Sequence, residues 1–300
     1  MARKNKKLLY DENYITILNM EREVKTSKKK AKQKLIIFFV LVLILIGISL
    51  WGMLYLYPKN NAASRYSLVG YNQYVQAYDE GKIITSPFDF NSLYKMVKVP
   101  GKDFVIGETE VTQEFFETVM GKNPSVAKGK VFPVESVTWY EAIAFCNLLS
   151  EKMGLVPCYT INKKNVECNL SANGYRLPTL EEWRYAAKGG ETFDYAGSND
   201  IDEVAWYDKN SGGSIHPVGE KKPNGYNLYD MSGNVWEWIW ETREYNVYNN
   251  GVWNPAFDCY CCGGASSVYA LYSSVEKGIF DYSPRYKYDS VGFRIVCNEQ

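Results

Sequence analysis

Three cysteines, Cys259, Cys261 and Cys262, stand almost together near the C-terminal end of the chain, directly before Gly263 and Gly264. Thiolate sulfur is the soft donor that copper(I) and zinc favour, and it is the nucleophile of redox chemistry. Three sulfurs this close suggest a metal site, a reactive thiol or disulfides. Side chains of adjacent residues diverge along an extended chain, so Cys261 and Cys262 suit one ion poorly. Structural disulfides, or a bridge to a second molecule, are the expected use in an oxidising compartment. A second stretch, residues 230–238 (DMSGNVWEW), carries hard oxygen donors instead. Asp230 and Glu237 flank a turn built on Gly233, and such a loop can also aim carbonyls at a cation, the donor mixture that calcium prefers. The alternative is a plain turn held by Asn234 and packed by Trp236 and Trp238.

Other chemistries lack their residues. The single histidine, His216, precedes Pro217 and Val218 and is expected at the surface. A Ser-His-Asp triad would have to use it, and there is no GxSxG elbow. Walker and GxGxxG phosphate loops are absent too. The pair Glu181 and Glu182 falls at a helix start, where capping and dipole effects account for it. Cys158 and Cys168 bracket a short hairpin-like segment and are the expected disulfide. An odd total of seven cysteines leaves one thiol free or joined to another molecule.

The elements that must position these residues begin at about Tyr94. One helix starts near Thr112 and stops at Gly121. A second starts at Thr138, which forms a capping-box pair with Glu141, and runs to Gly154. A third starts at Thr179, paired with Glu182, and ends at Gly189 and Gly190. Beyond Gly190, short apolar pieces broken by Gly, Asn, Asp and Pro predict short strands and long ordered loops. The fold class is therefore α+β, loop-rich, with one core over residues 94–300.

Ahead of it lies residues 35–57, twenty-three residues without a charge. As a helix this run spans roughly 34 Å, enough to cross a bilayer, and Trp51, Tyr55 and Tyr57 suit its interface. A cleaved signal peptide has a shorter apolar region and a shorter leader. Residues 1–34 carry eleven Lys or Arg against four Asp or Glu, leaving seven net negative charges on the rest of a neutral chain. The positive-inside bias predicts a single-pass protein of the cytoplasmic membrane. A basic cytoplasmic tail (1–34) would rest on anionic lipid, a stalk (58–93) would follow the span, and the C-terminal domain would be periplasmic or cell-surface. All seven cysteines fall in that exterior part. The basic run is read as topology, and no nucleic-acid partner is expected.

Six strings now point one way: residues 108–113 (ETEVTQ), 120–125 (MGKNPS), 133–140 (PVESVTWY), 174–183 (GYRLPTLEEW), 227–238 (NLYDMSGNVWEW) and 292–296 (GFRIV). In this order they resemble the formylglycine-generating enzyme, or sulfatase-modifying factor, family over residues 94–297. The resemblance implies its variant of the C-type lectin fold. It also implies a calcium loop, with ligands Asp230, Glu237 and the carbonyls of Gly233 and Val235. Catalytic members hold copper(I) on two cysteines that follow the Gly-Gly pair, and those positions are Val268 and Ser273 here. Valine has no donor atom, and serine oxygen is a poor ligand for copper(I). Cys259, Cys261 and Cys262 are the alternative sulfur source, but they precede the glycines. Relatives that join thiols to histidine betaines use several histidines on iron, which one histidine cannot supply.

The expected function is a non-catalytic, calcium-stabilised domain that binds a protein or glycan. Its expected binding face is the Tyr- and Ser-rich stretch that includes Tyr269, Tyr272, Tyr282 and Tyr286, since Tyr and Ser make adaptable recognition surfaces. The rival is a copper-dependent oxidase acting on a cysteine of an exported sulfatase-type polypeptide. A third reading is a scaffold that is disulfide-linked to its partner.

Overall fold

The computed structural model describes residues 90–162, 165–249 and 252–299. The tail, the apolar span and residues 58–89 of the stalk lie outside them. Among the described residues, no helix is long and apolar enough to cross a membrane.

Folding begins before Tyr94. Helix α1 (Phe90–Leu93) brings the Phe90 ring to 5.6 Å from Phe115 and 5.4 Å from Tyr175, so the end of the expected stalk already belongs to the core. Strands β1 (Met96–Lys98) and β2 (Phe104–Gly107) form a hairpin. Helix α2 (Gln113–Met120) is capped by Thr112, whose side chain accepts from the Phe115 amide, and stops at Gly121. Helix α3 (Trp139–Lys152) opens with the Thr138–Glu141 capping box. Strands β3 (Tyr159–Asn162) and β4 (Asn165–Cys168) pair, and the two-residue β5 (Tyr175–Arg176) leads to helix α4 (Leu180–Lys188). That helix carries the second capping box, Thr179–Glu182, and stops at Gly189. The short α5 (Ile201–Val204) is the last α-helix of the described residues.

The second half departs from the expected short strands. Strands β6 (Trp236–Asn249) and β7 (Val252–Cys262) form one long antiparallel ribbon. The ladder pairs the inward-facing backbone groups of each strand and leaves the outer edges to other partners, with a register shift between Trp238 and Thr242. Strands β8 (Ile279–Tyr282), β9 (Val291–Gly292) and β10 (Val296–Asn298) complete the chain. One sheet has the order β1-β2-β10-β5, and the other β8-β7-β6-β9, where β6 and β9 run parallel.

Two apolar clusters hold these layers together. The larger joins α2, α3 and the β6–β7 base through Phe115, Phe116, Phe145, Trp236, Trp238 and Phe293. The smaller packs α4 on the other side through Trp183, Ile239 and Val296. Two of the buried indoles pair their donors, Trp139 Nε1 with the Ile239 carbonyl at 2.9 Å and Trp238 Nε1 with that of Val137 at 3.1 Å, whereas Trp236 Nε1 has no partner. Truncating such a side chain to alanine costs roughly 3–5 kcal/mol. These indole bonds clamp α3 across β6 and fix the start of the ribbon, on which both candidate loops depend.

Candidate functional site

The loop before β6 and the loop after β7 lie side by side. Gly233 donates its amide to the Gly263 carbonyl at 2.7 Å, and Ser266 donates its amide to Asn234 at 2.8 Å. Gly233 has φ 84°, and a Cβ there would meet the Trp206 carbonyl at 2.3 Å. Asn234 also serves the His216 backbone, accepting from its amide at 3.0 Å and donating to its carbonyl at 3.2 Å. The His216 ring stacks on Trp206 with centroids 3.7 Å apart, so the one histidine is packed rather than loose on the surface.

The carboxylates of the first loop are buried, with Glu110 as a third acidic neighbour. Glu237 is fully buried, and Arg294 grips both its oxygens, Nε to Oε2 at 2.7 Å and Nη2 to Oε1 at 2.6 Å. Trp183 Nε1 adds a third bond, to Oε2 at 2.7 Å. Arg294 also donates to the carbonyls of Gly107 at 3.0 Å and Tyr229 at 2.9 Å. Burial opposes its charge, but Glu237 outweighs that cost and the guanidinium holds its proton more tightly than usual. Both oxygens of Glu237 are thus engaged by the protein's own donors. Asp230 is also buried; its Oδ2 accepts from the Gly219 amide at 2.7 Å, while Oδ1 has no hydrogen-bond partner. Its electrostatic neighbours are Glu110, Glu237 and Arg294. Burial, together with Asp230 and Glu237, pushes the Glu110 carboxyl well up, and burial raises that of Asp230 to about 6. Among the described residues, no group of three or more His, Cys, Asp or Glu could hold a metal ion. In this loop Arg294 holds Glu237, while Asp230 Oδ1 and both carboxyl oxygens of Glu110 are buried without a hydrogen-bond partner.

The second loop carries Val268 and Ser273. Val268 is half-buried against the larger cluster, and its carbonyl accepts from the Asp208 amide at 3.1 Å. Ser273 ends a 3-10 helix (Ala270–Ser273) and is fully buried. Its carbonyl accepts from Ser232 Oγ at 2.7 Å, while its own hydroxyl has no hydrogen-bond partner. The hydroxyl lies against Gly264, where a Cβ would meet it at 2.5 Å, so the loop closes tightly on this residue. Neither position offers a thiol.

The three cysteines of β7 do not replace them. Cys259 and Cys261 are buried in the larger cluster, whereas Cys262 is buried in the smaller one. Cys262 therefore points away from Cys259 and Cys261, and the three cannot share one ion. Burial raises all three thiols well above the ordinary range, which removes the thiolate that catalysis requires.

The tyrosines divide. Tyr269 is 70% exposed, and Leu271 and Tyr272 beside it are also open to solvent, as is Tyr286. Tyr282 is partly buried, packing 4.3 Å from Tyr288 and 6.2 Å from Trp238. Beyond Leu271 opens a cleft of about 500 Å³, lined among others by Phe193, Tyr195, Val275, Lys188 and Lys277. The Val275 amide ties its walls together by donating to the Asp194 carbonyl at 3.0 Å. Sequence reasoning missed this cleft, although the exposed Phe193 between polar neighbours was its signal.

Cys158 and Cys168 are not joined; each of the seven cysteines is a free thiol. Tyr159 is paired directly with Cys168, which places those two side chains on one face of the hairpin. Cys158, one residue earlier, turns to the Gly174 carbonyl.

Residues 80–299 match the sulfatase-modifying factor enzyme 1-like domain. The chain belongs to this family. Among its relatives is "Chaperone protein LppX" of Paenibacillus barcinonensis, 43% identical over 197 residues, covering 54% of this chain and 70% of that protein. "Inactive C-alpha-formylglycine-generating enzyme 2" of Bos taurus is 28% identical over 141 residues, 43% of this chain and 39% of the relative. The chain thus spans well under half the length of that second relative. Among solved structures, Treponema denticola variable protein 1 superposes with a TM-score of 0.59 at 33% identity, covering 68% of this chain and 92% of that one. The sulfatase-modifying-factor domain therefore begins at about residue 80, ahead of the boundary expected at Tyr94.

Proposed function

We propose that this protein is a membrane-anchored, extracytoplasmic member of the sulfatase-modifying-factor family that has exchanged catalysis for binding. Its ligand in this reading is a polypeptide, held on the loop that carries catalysis in active members. The observation that carries it is the pair Val268 and Ser273. A half-buried valine and a buried serine stand where two copper-binding thiols are required, and the nearest sulfurs lie inside two separate cores. Similarity to an inactive formylglycine-generating enzyme supports the loss of chemistry. Similarity to a protein named as a chaperone favours a polypeptide over a glycan.

The binding surface in this reading is Tyr269, Leu271 and Tyr272 together with the cleft beside Phe193. Large apolar side chains on a loop pinned by Ser232 and Asp208 give contact area without a large ordering cost. The uncharged run 35–57 tethers the domain to the cytoplasmic membrane with the basic tail inside. The test is a photo-crosslinking amino acid at position 271 of the full-length protein, expressed in its own cells. A discrete set of exported polypeptides attached at that position supports the proposal. Attachment to no protein, or equal attachment from a control position at Val126 on another surface, contradicts it.

A further inference from the structure

The cysteines outside β7 gather where β10 closes over the 169–174 loop. Cys158 Sγ lies 3.3 Å from the Gly174 carbonyl oxygen, and Cys297 Sγ lies 3.2 Å from that of Asn173. Two sulfurs from distant parts of the chain thus rest on neighbouring carbonyls of one loop. The next residue, Asn298, reinforces this closure: its Nδ2 donates to the carbonyls of Leu170 at 2.7 Å and Ala172 at 2.9 Å. The Ala172 carbonyl is also 3.9 Å from Cys158 Sγ, so the start of β3 and the end of β10 meet at a single oxygen. Register fixes the arrangement, since Cys297 faces Tyr175, the residue after Gly174. Cys168, by contrast, shares a hairpin face with Tyr159 and is the only one of the seven cysteines that is not buried.

We propose that Cys158 and Cys297 are the disulfide pair of this domain, and that their bond locks the C-terminal strand onto the segment entering β3. The two thiols pass two electrons and two protons to a disulfide donor, small or protein-bound. The donor's sulfur–sulfur bond breaks to give two thiols as the Cys158–Cys297 bond forms. Burial raises both thiols above their ordinary pKa, so exchange is slow once the domain has closed and the bond forms as β10 docks. The proposal rests on the exterior placement above only for its occurrence in the cell; the pairing itself is a matter of geometry.

The two parts are tested separately. Full-length protein, purified reduced in detergent, is unfolded and refolded in a buffer of reduced and oxidised glutathione, alkylated without reduction, digested and mapped by mass spectrometry. The expected product is a linked peptide pair containing Cys158 and Cys297, lighter by two hydrogens than its two free peptides, with Cys168 alkylated. A Cys158–Cys168 or Cys146–Cys158 link, or alkylation of both proposed partners, overturns the proposal. Reductant should lower the melting midpoint of the oxidised wild type and leave that of Cys297→Ser unchanged; an equal drop in both also overturns it. Thiol trapping in intact cells then decides the compartment alone: if the bond forms in the refolding buffer but not in cells, the exterior placement fails and the pairing stands.

Discussion

The two loops that touch at Gly233 and Gly263 are opposites. The loop before β6 contains the densest motif of the chain, and its carboxylates are buried, with Glu237 fully paired to Arg294. The loop after β7 departs from the catalytic pattern and presents Tyr269, Leu271 and Tyr272 to solvent. The first loop is held by an arginine, and the second carries the surface proposed to bind a polypeptide.

The largest expected effect that could break this contrast comes from Arg294. Removing its guanidinium in Arg294→Met leaves the Glu237 charge buried and uncompensated, a loss of roughly 3–5 kcal/mol. Tyr269→Ala, on the exposed loop, should stay within about 0.5 kcal/mol of wild type. Urea midpoints measure both, and similar losses would erase the distinction. Next comes Gly233→Ala. Its Cβ would enter the space of the Trp206 carbonyl at a positive φ, and a loss on the order of 2–3 kcal/mol is expected by the same measurement.

How much of this was legible beforehand depends on the range of the interactions. The helix starts at Thr112, Thr138 and Thr179 were readable because each cap is satisfied within three residues. The pairing of Glu237 with Arg294 was not readable, because the two residues lie 57 positions apart in different motifs. The hairpin register, invisible in composition, sets Cys168 opposite Tyr159 and turns Cys158 to the Gly174 carbonyl. The β6–β7 ribbon was taken for short strands, although Asn249, Asn250 and Gly251 supply a hairpin turn signal.

A pH series sharpens the contrast at intermediate scale. The Asp230 carboxyl titrates near 3.8 when unfolded and at about 6 when folded, so the native state holds its proton more tightly. Between those values the unfolded chain loses this proton first, and stability falls as pH rises, levelling off above about 6. The full difference is at most about 3 kcal/mol. In Asp230→Asn this component of the slope between pH 4 and pH 6 should vanish. An unchanged slope would show that Asp230 is not the buried acid described here.

The smallest effect on stability is expected where the effect on function is greatest. Leu271→Ala combined with Tyr272→Ala should leave the urea midpoint within about 0.5 kcal/mol of wild type while abolishing polypeptide capture. Capture that survives the double substitution would move the binding surface away from this loop.

The central claim, that this domain has lost its chemistry at Val268 and Ser273, meets its most direct test in one reaction. Full-length protein is incubated with copper(I), oxygen and a cysteine-containing sulfatase-motif peptide, and the peptide mass is recorded. Unchanged cysteine is the predicted result, and formylglycine in the product would contradict it.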